Sequence, residues 1–442
     1  MATSASTQVR EGWQELPLIE CTSDRQISYG VVQPGFPVTD GVPIVRVNNL
    51  VNGRIITHDA MRIAPEIDYT HRRTKLRGGE IVISLVGTTG SVAIVPDELT
   101  GWNVARAIAV IRPDEKIGAS WLKLCLESSH TREYLDARAN TTVQKTLNLK
   151  DVKQLPIPLP PPHWRQEILS LVSPIENAIT NLEDQNRSLE ATAQTIFKSW
   201  FVDFDPVRAR AEGREPAGMD AATAALFPST FEDSELGPIP QGWTIHGIDT
   251  IATFLNGIAL QKYPAMEGEE WLPAIKIAQL KCGSVDGADR ISPSIPEKYI
   301  VQDGDLLFSW SGSLEVEFWT GGKGALNQHL FKVFSAQFPQ WFVYLWLRFH
   351  LDGFREIAES KVTTMGHIQR HHLSEAIVVI PPPETLRGLD RFLGPLIEKV
   401  VAGRLQARTL ADLRDTLLPR LISGKLRVPE AEAMLMGGCH EV

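Results

Sequence analysis

The chain repeats itself, and internal duplication constrains a fold more than composition does. The segment ending in the triple proline Pro160–Pro161–Pro162 aligns with the one ending in Pro381–Pro382–Pro383. An offset of 221 residues then holds without a gap as Thr142 to Phe201 runs against Thr363 to Ile422. Within it Leu147 meets Ile368, Pro174 meets Pro395, Leu189 meets Leu410 and Ile196 meets Leu417. Upstream, VPIVRVNNLVNGRI from Val42 parallels LPAIKIAQLKCGSV from Leu272, and RGGEIVIS from Arg77 parallels QDGDLLFS from Gln302. Both halves open on a Gly-Trp pair, Gly12–Trp13 and Gly242–Trp243.

Each half reads in two parts. The first, of about 140 residues, is a size typical of one domain. It has short β-branched runs (Ile44–Val47, Ile81–Ser84, Ala107–Ile111, Ile157–Leu159) punctuated by Gly, Pro, Asn and Asp, with a helical stretch at Ser120–Ala139. The second half carries its helical stretch at Trp341–Ser360. The other part of each half is a long helix with a two-position heptad seam. In the first copy the seam is Ile168, Ile175, Leu182, Leu189 and Ile196, with Val172, Ile179, Asn186, Ala193 and Trp200. In the second it is Leu389, Leu396, Gly403, Leu410 and Leu417, with Leu393, Val400, Ala407, Arg414 and Leu421. Neither helix can bury such a stripe alone, so the two are expected to pack on each other. Their connection passes through a whole module, which permits an antiparallel pair. About 38 residues at ~1.5 Å each give a rod of roughly 57 Å, long enough to hold two modules one turn of B-DNA, ~34 Å, apart.

The expected fold class is α+β: two pseudo-symmetric globular modules separated by a pair of long antiparallel coiled-coil helices. Its divisions are a flexible N-terminus at 1–10, a first module at 11–160, a central helix at 161–205 and a linker at 206–240. A second module at 241–380, a C-terminal helix at 381–426 and a tail at 427–442 follow.

Four scattered cysteines (Cys21, Cys125, Cys282, Cys439), with no CxxC pair, argue against a zinc site or a disulfide framework. No apolar run resembles a signal peptide or a membrane span, so a cytoplasmic protein is expected. The formal charge of −9 is unhelpful for binding nucleic acid, but distribution outweighs the total. Tyr69 to Arg77 reads YTHRRTKLR, with Arg72, Arg73, Lys75 and Arg77 and no acid.

At SELGPIPQGW (Ser234–Trp243) the chain resembles the specificity subunits of type I restriction–modification systems, where such a phrase opens the second target-recognition domain. The stretches SLEATAQTIFKSWFVDFDP (Ser188–Pro206) and TLADLRDTLLPRLISGKL (Thr409–Leu426) resemble the family's central and C-terminal conserved regions. The first opening phrase, EGWQELPLIE, departs from the pattern. The resemblance implies two target-recognition domains, each reading one half of a split double-stranded DNA target. It also implies helices that space the domains and dock two modification (methyltransferase) subunits, which bind S-adenosylmethionine and methylate adenine. Restriction subunits with ATP-driven translocation join them. A recognition subunit of a methylation-only or other phage-defence assembly, or a coiled-coil scaffold, is the alternative reading.

Catalytic motifs are not found. DFDP (Asp203–Pro206) only superficially matches a methyltransferase Asn/Asp-Pro-Pro-Tyr/Phe, and GGKG (Gly321–Gly324) lacks the elements of a P-loop. Glu359–Ser360–Lys361, with Asp352 upstream, reads as the solvated end of a helix. The pair His371–His372 is expected to point apart with no third ligand near. No catalytic residue, metal or cofactor is therefore expected in this chain.

Base readout needs Arg, Lys, Asn, Gln, Ser or Thr presented from loops and helix starts. The first half offers Arg46 and Asn48, the run Arg72, Arg73, Lys75 and Arg77, the loop Gly87–Ser91 with Asn103, and Thr142, Gln144 and Lys145. The second offers Lys276 and Gln279, Ser311 within Trp310–Ser313, Asn327 and Gln328 beside His329, and Thr363, Thr364, His367 and Arg370. The same residue types also cap turns.

Overall fold

The computed structural model describes residues 12–51, 53–139, 146–235, 237–360 and 366–437. The chain divides into two units, Met1–Thr180 with Leu410–Val442, and Asn181–Thr409. The fold is α+β, and each long helix contributes one part to each unit.

In the first unit, a four-stranded antiparallel sheet runs in the order Thr22–Tyr29, Ile108–Pro113, Ile81–Ser84, Val92–Ile94. The strand Ile81–Ser84 is buried at all four positions, as its unbroken β-branched run requires when both faces of a sheet are covered. A second sheet orders Met61–Ile63, Val42–Val45 and Asn103–Val104, the last two parallel. A third pairs Gln14–Pro17 with Pro156–Leu159. The helical stretch expected at 120–139 is two helices, Ala119–Glu127 and Ser129–Asp136. Ser128 breaks it: its backbone is extended, and its hydroxyl accepts the Thr131 N–H as an N-cap.

The second unit repeats this plan. Its four-stranded sheet orders Thr253–Asn256, Leu330–Phe334, Leu306–Ser309 and Val316–Phe318. Its second sheet orders Arg290–Ile291, Leu272–Ile275, Gly324–Leu326 and Ile300–Val301, again with one parallel pair. Thr244–Gly247 pairs with Ile377–Ile380. The helix Gln340–Glu359 buries Trp341 through Leu347. Gly30 and Gly257 occupy equivalent positions where backbones touch. A Cβ there would lie 1.9 Å from the Val104 carbonyl oxygen and 2.1 Å from that of Asn327, so no side chain fits.

The long helices span Pro162–Phe197 and Pro383–Ile422, 36 and 40 residues, or about 54 and 60 Å. The first passes into a π turn at Lys198–Val202 and stops where Phe204 takes a left-handed φ of 55°. The second closes on Gly424, φ 72°, with the Leu426 N–H donating to the Arg420 carbonyl at 3.0 Å. Within the first unit, Ile168 and Val172 share a core with Leu417, Leu418, Leu421 and Ile422. Within the second, Ala193 and Phe197 share one with Leu389 and Leu393. Asn186 lies against Gly403, and Trp200 meets Phe392 at 5.9 Å between ring centroids. Partner numbers fall as the first helix's rise, so the pair is antiparallel.

Two of the expected divisions carry structure of their own. The linker 206–240 holds most of a helix, Asp205–Ala211, and a hairpin, Phe231–Ser234 with Gly237–Pro240. Phe227 from this region and Phe204 just before it pack on Trp243 at 6.4 and 6.0 Å, so a few aromatics anchor a segment whose composition reads as loop. In the tail, Val428–Gly437 is helical and buries Val428 and Ala431 in the first unit's core. Residues 1–10 lie outside the described residues. Among the described residues no helix is long and apolar enough to cross a membrane.

Candidate nucleic-acid interface

Both units build the same three turns. The first follows the strand Val42–Val45 or Leu272–Ile275. Asn49 Oδ1 accepts the Arg46 N–H at 2.9 Å, and Gln279 Oε1 accepts that of Lys276 at 3.3 Å. This leaves Asn48 exposed, while Gln279 is buried as the cap. The Arg46 guanidinium reaches the Asp59 carbonyl at 3.4 Å, and Lys276 is ion-paired with Asp289.

The second turn carries the basic run. Arg77 donates its N–H to Glu80 at 2.9 Å, and Gln302 donates to Asp305 at 2.7 Å. A strand cation braces each. Arg112 donates to the carbonyls of Arg73 and Lys75 at 2.8 and 3.3 Å, and Lys332 to that of Ile300 at 3.2 Å. Behind the first, Asn103 is fully buried. Its amide donates to Asp68 Oδ1 at 2.9 Å and to the His71 carbonyl at 3.2 Å, and its oxygen accepts from Thr74 at 2.8 Å. Lys75 pairs with Asp68 at 2.9 Å. Arg72, Arg73 and Arg77 are exposed. Arg72 lies over the Tyr69 ring, 5.7 Å from its centroid. Together with Ile27, Ser28, Tyr29, Leu149 and Lys153, residues Tyr69–Thr74 line a cavity of about 780 Å³.

The third turn ends the central strand. Buried Ser84 donates to the Thr88 carbonyl and accepts the Ser91 N–H at 2.8 Å. Ser309 donates to the Ser313 carbonyl and accepts the Glu315 N–H, both at 2.7 Å. Each loop is bridged to the segment before the module's last strand, Val86 to Thr146 and Ser311 to His367. In the second unit this gathers three of the four expected regions. Ser311 Oγ lies 2.9 Å from His329 Nδ1, and Asn327 Oδ1 accepts the His329 N–H at 3.1 Å. Gln328 Nε2 lies 3.3 Å from His329 Nε2. The Trp310 indole donates to Asn256 Oδ1 at 3.1 Å, with the His367 ring 6.2 Å away. Exposed Arg370 starts the helix Arg370–Glu375.

Some expected contacts are buried, and others lie outside the described residues. Asn103, Gln279, Asn327 and Ser311 are buried, so they hold the turns that carry exposed neighbours. Thr142, Gln144, Lys145, Thr363 and Thr364 lie outside the described residues. His371 and His372 do not diverge: their ring centroids are 4.0 Å apart, and with Glu375 their ligand atoms fall within 4.8 Å of one another. The cause is a cap, since His372 Nδ1 accepts the Gln369 N–H at 2.9 Å and the ring turns back over the helix start. Asp352 pairs with Arg355 at 3.0 Å, as a solvated helix face predicts. Tyr29 and Lys153 are not among the expected residues, since only chain folding places them beside the basic turn, whereas Tyr69 stands at the head of the basic run itself.

Paired modules that reuse one set of polar, loop-bearing turns define a duplicated recognition protein. Residues 38–191 match the model for the type I restriction modification DNA specificity domain. The chain is 25% identical over 362 residues to the specificity subunit of the type I restriction enzyme MjaIX of Methanocaldococcus jannaschii, covering 80% of this chain and 78% of that one. It is 32% identical over 225 residues to the EcoBI specificity subunit of Escherichia coli, covering 50% and 47%. The solved S subunit of the type I restriction-modification system from M. genitalium aligns over 95% of this chain and 98% of its own, at 14% identity and a TM-score of 0.48. Over these spans the chain is similar to the specificity subunits of type I restriction–modification systems.

Proposed function

We propose that this chain is the DNA sequence-specificity subunit of a type I restriction–modification complex and reads a bipartite target, one half-site per module. The observation that carries the reading is the repeated third turn, in which a buried strand-end serine presents a loop held against the segment before the last strand. Such a rigidly held polar loop suits groove readout, where a misplaced donor loses its bidentate partner. The chain supplies recognition and no chemistry. The S-adenosylmethionine and the methyl transfer belong to two modification subunits docked on its helices, and cleavage to restriction subunits.

A methylation map of DNA from cells expressing the chain with its modification subunits tests this. The expected result is methyladenine in a split motif with a fixed unread spacer. Gln328→Ala should relax or abolish the requirement at one half of that motif and leave the other half unchanged. A map with no split motif overturns the reading, as does an unaltered motif in every loop variant.

A further inference from the structure

The second turn is tied in the same way in both modules but differs in charge on its exposed face. Glu80 and Asp305 tie it alike, and a cation on the neighbouring strand braces each from a non-equivalent position, Arg112 through the Arg73 and Lys75 carbonyls and Lys332 through that of Ile300. That sets Arg72 and Arg73 in register with Glu297 and Lys298, all four exposed. The first pair is doubly cationic and the second cancels. Among the described residues neither Arg72 nor Arg73 has a carboxylate partner. The cavity wall differs in the same sense. Lys153 lines it in the first module, where the second has Ser374, hydrogen-bonded to Asp249 at 2.5 Å. Tyr29 and Tyr69, 49% and 69% exposed, flank the cations with apolar faces that limit their hydration.

We infer that the two modules hold DNA with unequal electrostatic weight: Arg72, Arg73 and Lys153 grip the phosphate backbone at the first half-site, and the second half-site is engaged without an equivalent clamp. This rests on the DNA-reading function proposed above. Binding to phosphate releases counterions, so log Kobs falls with log salt by ~0.9 per phosphate neutralised. The salt dependence that this chain contributes is therefore concentrated in its first module. A net charge of −9 does not oppose this, because Arg72, Arg73, Lys75 and Arg77 gather on one turn.

The test is a salt series of binding by the full-length chain with its modification subunits, on a duplex carrying the mapped target and on one with both half-sites scrambled. Arg72→Gln with Arg73→Gln should flatten the slope by about two, and Lys153→Gln by about one. Glu297→Gln with Lys298→Gln should leave it unchanged, and Glu297→Arg should steepen it by about one. These residues are exposed turn or cavity positions, and copurification with the modification subunits verifies folding. A slope unmoved by the double arginine variant, or moved as much by the second-module pair, overturns the asymmetry. If the wild-type assembly does not prefer target over scrambled duplex, the DNA-reading function falls and the asymmetry with it.

Discussion

Asn103 illustrates how a residue can matter for recognition without meeting DNA. All its hydrogen-bonding capacity is spent inside the module, on Asp68, the His71 carbonyl, Thr74 and the Val104 N–H. Asp68 is 5% exposed and depends on Asn103 and Lys75 for partners. Asn103→Ala leaves Asp68 Oδ1 without its amide donor, at a cost of about 1–3 kcal/mol. Denaturant unfolding should show this loss, and the basic turn should lose its contribution to DNA affinity with it. Asn48→Ala, at an exposed position, should change stability by less than ~0.5 kcal/mol. If the two variants unfold alike, Asn103 is no anchor. Residue type alone could not separate them. An asparagine beside a β-branched run is equally a groove reader or an internal cap, and only its depth decides.

On the helices, the heptad register was legible and the pairing chemistry was not. Both seams interrupt their apolar series, the first at Asn186 and the second at Gly403 and Arg414, and the structure brings Asn186 and Gly403 together. A Cβ on Gly403 would lie 2.4 Å from Asn186 Oδ1 and 3.0 Å from Nδ2, so the polar residue occupies the space its partner lacks. Gly403→Ala gains roughly 1 kcal/mol of helix propensity but must displace a buried amide, which costs about 1–3 kcal/mol. It should destabilise the parent and stabilise an Asn186→Ala background. A double-mutant cycle by thermal or urea unfolding reads this sign change, and equal effects in both backgrounds would refute the pairing. Next to Gly403, Arg404 bridges Glu317 and Glu190, the latter one turn beyond Asn186. Burial opposes its charge, yet the two carboxylates outweigh it and hold its pKa above the ordinary value. The network ties both helices to the strand Val316–Phe318 of the same unit. An i, i+7 count sees stripes along one helix; it has no access to which residue faces a gap on another.

For the whole molecule, the proposed bipartite readout makes helix length the variable that sets the unread spacer. One heptad adds about 10 Å of helix, close to three base pairs of B-DNA. Insertion of seven residues at matched seam positions of both helices should lengthen the spacer in a methylation map by about three base pairs. An unchanged spacer would show that the helices do not measure it. By itself the sequence determined the duplication, the α+β character of each half, the two long helices and their seam, because these are written in local periodicity and in order along the chain. Tertiary structure alone decided which polar residues are buried anchors and which are presented. It also folded 206–240 onto Trp243 and drew Tyr29 and Lys153, distant in sequence, to the basic turn. Those outcomes depend on contacts between segments far apart in the chain, where burial and partner geometry, which no local pattern encodes, set the energy.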